Sequence, residues 1–221
     1  MTVQAFPHRN KLTGWFVFIA ILIAIGYAGN AAGTKPDADV LYQYDTAIGG
    51  GIVYLLMAGV ILLIARGSHD LLALRRPTMT WPKALGLATA LFVAAMVIDS
   101  GLEQVLHAGS EQGLIPTRWD SGHAAAYVCN WIVIAGVAPL VEEVTFRGLG
   151  YSLLSPRLGM WPTVVLTGAL FAASHGLIRA LPELMVLGCA LAWLRARTDS
   201  VLPGIAVHAA FNSVALASVF F

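Results

Sequence analysis

The sequence predicts an all-α fold, a polytopic transmembrane helical bundle of about seven spans, on three observations. Hydrophobic residues make up 58% of the chain and charged residues only 11%, with a mean hydropathy of +0.76, whereas soluble domains carry about 25% charged residues. The apolar residues gather into seven runs of spanning or near-spanning length, parted by short polar segments. The 13 lysines and arginines divide unevenly between alternate connecting segments.

Each run is justified in turn. The first, 12–34, has no charge and exceeds the roughly 7 to 15 apolar residues of a cleavable leader, so it reads as a span. The second is 46–65. The third, 84–98, opens from Trp81-Pro82, an interfacial tryptophan followed by a proline suited to the first helical turn. After it, Asp99, Glu103 and His107 share a helical face and read as a solvated interfacial helix in the outer segment. The fourth, 127–154, passes through "LVEEVTFRGLGYSLL". The fifth, 161–178, opens from Trp161-Pro162; the sixth is 180–194; the seventh, 201–221, has Pro203 in its first turn. The third, fifth and sixth are the shortest.

At 221 residues, with about 20 residues per span, there is room for one bundle. The expected organisation is a single membrane domain, 1–221, with spans one to three in 1–123 and the remainder in 124–221. Arg9, Lys11, Arg66, Arg75, Arg76, Lys83, Arg147, Arg157, Arg195 and Arg197 fall on one side, against Lys35, Arg118 and Arg179 among acids such as Asp37 and Glu111 on the other. The positive-inside rule then places the N-terminus in the cytoplasm and the C-terminus outside. A net charge of +1 without a basic run implies no nucleic-acid partner; the lipid bilayer is the partner implied. Cys129 and Cys189 lie in apolar runs and act as small hydrophobes.

Glu142, Glu143 and Arg147 are the anomaly. An ionisable group at bilayer depth costs about 2.5 to 3.5 kcal/mol on insertion scales. Glu143 and Arg147 are four apart, share a helical face and neutralise each other. Glu142 points about 100° away and needs another partner or another role. Two later stretches offer partners: "FAASH", with Phe171 and His175 one turn apart, and "HAAFN", with His208 and Asn212 one turn apart. Counted from the intervening turn, Glu142 and His175 lie at equal depth, about 20 Å from the basic side. Taken singly, a membrane histidine is usually a helix–helix hydrogen-bonder and Glu143 with Arg147 a structural ion pair.

Glu142-Glu143 with Arg147, Phe171 with His175, and His208 with Asn212 resemble the three signature motifs of the CAAX protease and bacteriocin-processing (CPBP, or Abi) family of intramembrane proteases. The resemblance covers 124–221 and implies a catalytic core there. It implies an endopeptidase in a prokaryotic plasma membrane that hydrolyses a peptide bond of a membrane-embedded or lipid-modified protein or peptide. It also implies Glu142, His175, His208 and Asn212 as catalytic residues, supported by Glu143, Arg147 and Phe171.

Other protease chemistries find no footing. No HExxH is present, and Ser152 in "GYSLL" lacks the second glycine of a nucleophile elbow. Water activation remains, with Glu142 as base, water held between it and His175, and His208 and Asn212 donating to the oxyanion. A zinc version, with Glu142, His175 and His208 as ligands, stays open beside one without a cofactor. Two alternatives come from other classes: a non-catalytic immunity or scaffold protein, and a proton-coupled transporter, whose repeat signature is absent.

Overall fold

The computed structural model describes residues 8–32, 39–112 and 114–221, and among these every regular element is helical. Lys35 and Asp37 lie outside the described residues. Seven helices organise the chain: α1 (Arg9–Ala31), α2 (Tyr44–Ala65), α3 (Trp81–Leu106), α4 (Ser121–Leu158), α5 (Met160–Ser174), α6 (Leu181–Thr198) and α7 (Leu202–Phe220). Of these, α1 to α4 and α7 are long and apolar enough to cross a membrane. The apolar α5 has 15 residues, and α6, with 18, carries Glu183, Arg195 and Arg197. These two form an antiparallel hairpin, completing an all-α bundle of about seven spans. Leu55 and Leu63 are each 71% exposed and Val97 68%, an outward apolar surface suited to lipid rather than water.

Two boundaries differ from those read in the sequence. Helix α3 runs on through Asp99 and Glu103 to Leu106 and stops where His107 adopts a left-handed conformation, φ 51°. It continues because Leu102 extends the stripe of Ala95 that packs on Leu187 of α6 and Phe211 of α7. The two acids therefore lie on a packed helix and not in an outer segment. Helix α5 ends at Ser174, so His175 caps the helix instead of sitting within it.

The core centres on α4. Trp15, Ile19, Phe146, Leu149, Leu153 and Phe171 pack together. Trp15 is fully buried and donates its indole N–H to the Thr145 carbonyl at 2.9 Å. A Cβ on Gly150 would lie 2.3 Å from the Trp15 ring, so this approach requires glycine. Lipid is as apolar as leucine, so α1 and α4 are held by close packing and by such bonds, each about 0.6 to 2 kcal/mol.

Contacts at the two ends agree with the grouping of the connecting segments. At the basic end, Lys11 donates to the Ile64 and Arg66 carbonyls, the Thr78 N–H to Thr198, and Arg75 pairs with Asp199. At the opposite end, the Asn30 amide donates to Gly176, the Tyr42 hydroxyl to Arg118, and the backbone of 178–180 to Glu111.

Candidate active site

Helix α4 carries the glutamates between two π-helical segments, Ile132–Val137 and Val144–Gly150, with an α-helical turn, Ala138–Glu143, between them. Segments of this kind appear often at functional sites. Pro139 gives the first its consequence. The Ala138 N–H reaches back to the Val133 carbonyl, and in the same register Ile134 would accept from residue 139, which as proline has no N–H. The freed Ile134 carbonyl takes the side-chain amide of Asn212 at 2.9 Å. A buried carbonyl without a partner is costly in a membrane, so one proline in α4 locates an asparagine of α7.

Glu143 is fully buried and its Oε1 accepts from Arg147 at 2.8 Å. Arg147 also donates to the Gly188 carbonyl at 2.9 Å, and its guanidinium lies 4.3 Å from the Phe171 ring centroid. The same Glu143 oxygen lies 3.2 Å from Nδ1 of His208. A carboxylate paired to arginine accepts, so Nδ1 is the donor and carries a proton. Nε2 of His208 then faces Oε2 of Glu142 at 3.7 Å. Oε2 of Glu143 and Nε of Arg147 are enclosed without hydrogen-bond partners.

Glu142 is placed differently. Its side chain keeps 12% exposure, against none for Glu143. Oε1 accepts from the Tyr54 hydroxyl of α2 at 2.9 Å, while Oε2 has only the longer approach to His208. Sequence reasoning missed Tyr54. The available signal was a phenol in the middle of span two, since membrane tyrosines favour the interfaces.

His175 joins the group through Phe171. Its Nδ1 lies 2.9 Å from the Phe171 carbonyl; a carbonyl only accepts, so Nδ1 donates and the neutral ring offers a lone pair at Nε2. The Phe171 ring meets His175 edge-on at 4.8 Å and His208 at 5.6 Å. Beyond His175 the chain turns at Gly176, φ +68°, where a Cβ would sit 2.2 Å from the backbone of Gly26 in α1. That contact and the Asn30 bond set where α5 ends. All seven residues singled out in the sequence thus fall in one linked assembly of α4, α5 and α7, with Tyr54 added from α2.

Among the described residues, no three His, Cys, Asp or Glu side chains are grouped so as to hold a metal ion. Nδ1 of His208, Nδ1 of His175 and Oε1 of Glu142 are engaged by Glu143, Phe171 and Tyr54, which leaves Nε2 of each ring and Oε2 of the carboxylate for a ligand. The expected zinc set of Glu142, His175 and His208 does not form such a group.

Residues 124–214 match the family described as Type II CAAX prenyl endopeptidase Rce1-like. No curated protein and no solved structure matches the chain.

Proposed function

We propose that the protein is an intramembrane endopeptidase in which Glu142 activates water, a reading supported by the match of residues 124–214 to the type II CAAX prenyl endopeptidase Rce1-like family. One observation carries this reading. Of two adjacent glutamates at membrane depth, only Glu142 has a carboxylate oxygen without a hydrogen bond on a side chain that keeps some exposure.

A water donating one hydrogen to Oε2 of Glu142 and the other to Nε2 of His175 turns its lone pair towards a substrate carbonyl carbon. Glu142 takes the proton as the new C–O bond forms, and the carbonyl oxygen becomes an oxyanion. Asn212 has a second amide hydrogen beyond the one given to Ile134, and that hydrogen is offered to the oxyanion. His208, with Nδ1 held by Glu143, turns Nε2 to the same centre beside Oε2 of Glu142. The C–N bond then breaks, and Glu142 returns its proton to the leaving amine. Glu143, Arg147 and Phe171 hold His208 and α6 around this centre.

The substrate class follows from place and family: a membrane-embedded or lipid-modified protein or peptide, reached from the basic end, which the charge asymmetry assigns to the cytoplasm. The test is reconstitution of the purified protein in liposomes with a prenylated peptide and its unprenylated counterpart, the products being weighed. Two fragments whose masses sum to the peptide plus one water are expected. An intact peptide moved across the bilayer would favour the transporter, and an intact peptide left in place the scaffold. Single cysteines near Arg157 and Glu111, in a variant lacking Cys129 and Cys189, test orientation. An impermeant reagent applied outside should label only the Glu111 side, and the reverse pattern would invert the topology.

A further inference from the structure

The centre described above lies in α4, α5 and α7, yet one of its shortest hydrogen bonds comes from outside the segment that matches the family. Tyr54 stands midway along α2, and its hydroxyl donates to Oε1 of Glu142 at 2.9 Å across 88 residues of sequence. We propose that Tyr54 is a positioning residue of the peptide-bond hydrolysis, holding the Glu142 carboxylate so that Oε2 is the oxygen presented to water. The proposal rests on the reading of Glu142 as the base.

A glutamate side chain has three rotatable bonds, and a base that must meet a water and a scissile carbon is useful only in one orientation. On its own helix Glu142 has no partner, because Arg147 is engaged by Glu143 and Gly188. From α7, His208 Nε2 approaches only Oε2, at 3.7 Å. Among the described residues Tyr54 is therefore the one hydrogen-bond donor on Oε1, and a phenol suits that task. Its rigid ring loses little freedom, it is partly buried against the core cluster that also takes Val137 and Val144, and it donates one hydrogen to one oxygen. With Oε1 so engaged, the lone pairs of Oε2 are the ones left for the water.

Tyr54→Phe removes the hydroxyl and keeps the ring. Steady-state kinetics of the full chain in liposomes should show kcat lowered about 10- to 100-fold, the span of one charge-assisted hydrogen bond. KM and the thermal midpoint should stay at wild-type values. A ring-fluorinated tyrosine introduced at position 54 keeps the donor and should restore kcat to within a few-fold. A Tyr54→Phe protein with wild-type kcat overturns the proposal, as does one in which kcat falls only in step with the folded fraction. If Tyr54→Phe does not fold, a series of tyrosines bearing one to four ring fluorines decides: kcat should shift by up to a few-fold in step with the acidity of the phenol while KM and the thermal midpoint stay put, and a kcat independent of that acidity overturns the proposal. Glu142→Gln is measured alongside. If it is inactive while Tyr54→Phe is normal, Tyr54 fails and the protease reading stands; if it is fully active, the reading of Glu142 fails and takes this proposal with it.

Discussion

Two ionic clusters in this molecule use nearly the same parts and end in different states. At the basic end, Arg75 and Arg195 both donate to Oδ1 of Asp199, at 2.7 Å each. Every other guanidinium nitrogen there also has a partner: the carbonyls of Asp199, Asp70 and Arg147, and the Ser152 hydroxyl. At membrane depth, Glu142, Glu143, Arg147 and His208 form a cluster of similar size that is incompletely paired. Oε2 of Glu142 has no hydrogen bond, and Asn212 has an amide hydrogen beyond the one that Ile134 takes. The basic-end cluster, with every guanidinium nitrogen paired, ties α6 and α7 to the segment after α2. On the proposed reading, the cluster at membrane depth keeps its unmade bonds for a molecule that arrives from outside. Charge inside a membrane protein is thus no sufficient sign of chemistry; the sign is charge left with unmade bonds.

The comparison breaks first, and by the largest margin, at Glu143 and Arg147. Each is fully buried, and removing one leaves the other as an unpaired buried charge. Glu143→Gln and Arg147→Gln should each lower stability by about 3 to 5 kcal/mol, read as loss of the folded fraction on thermal ramping in detergent. A well-folded, inactive Glu143→Gln would shift the catalytic role to that residue. At the basic end the effect should be smaller. Arg75 and Asp199 have side chains 43% and 45% exposed, so Arg75→Gln should change stability by about 1 kcal/mol or less. An effect at Arg75 as large as at Arg147 would mean that the two clusters do not differ in the way described.

Asn212 sharpens the contrast, since it caps the Ile134 carbonyl and, on the proposed reading, also donates to the oxyanion. Asn212→Ala should fold and bind substrate, yet lose about 100- to 1000-fold in turnover, the range for one oxyanion donor. A loss confined to stability would reduce Asn212 to a cover for the Ile134 carbonyl.

The smallest expected effect concerns pH. Burial pushes the Glu111 carboxyl up, but the N–H groups of Ile178, Arg179 and Ala180 outweigh this and hold it below the ordinary value of 4.5. Its folded form therefore favours ionisation, so the stability it contributes is fully present above 4.5 and is lost as pH falls through the lowered value. The protection of the 176–180 amides, the turn that follows His175, taken against the intrinsic exchange rate at each pH, should be steady from neutral pH down to the ordinary carboxylate range and fall only below it. Glu111→Gln should abolish that dependence. A loss of protection near neutral pH would assign the turn's hold to some other group.

Much of this was readable in the residues because it depends on short-range periodicity. The Glu143–Arg147 pair follows from a spacing of four on one helix, and the end-to-end grouping of segments from the alternation of lysine and arginine. What was not readable depends on where helices touch. Tyr54 and Glu142 are joined only by the packing of α2 on α4. The Ile134 to Asn212 bond follows from Pro139 only once the turn before it is known to be π-helical. Asp99 and Glu103 look like an outer segment by composition, and the packing of α3 on α6 and α7 decides otherwise. Gly26 and Gly176 carry no side-chain signal, yet their backbones meet and end α5 at His175.

On the proposed reading, two adjacent glutamates divide structure from catalysis. The direct measurement is turnover per folded molecule for Glu142→Gln and Glu143→Gln, prepared and assayed side by side against wild type. Glu142→Gln should be as stable as wild type to within about 1 kcal/mol, since a partly exposed glutamine can still accept from Tyr54, and should show no cleavage above background. Glu143→Gln should be scarce when folded, with measurable turnover in the folded fraction. A Glu142→Gln protein that still cleaves its substrate at the wild-type rate would contradict the account.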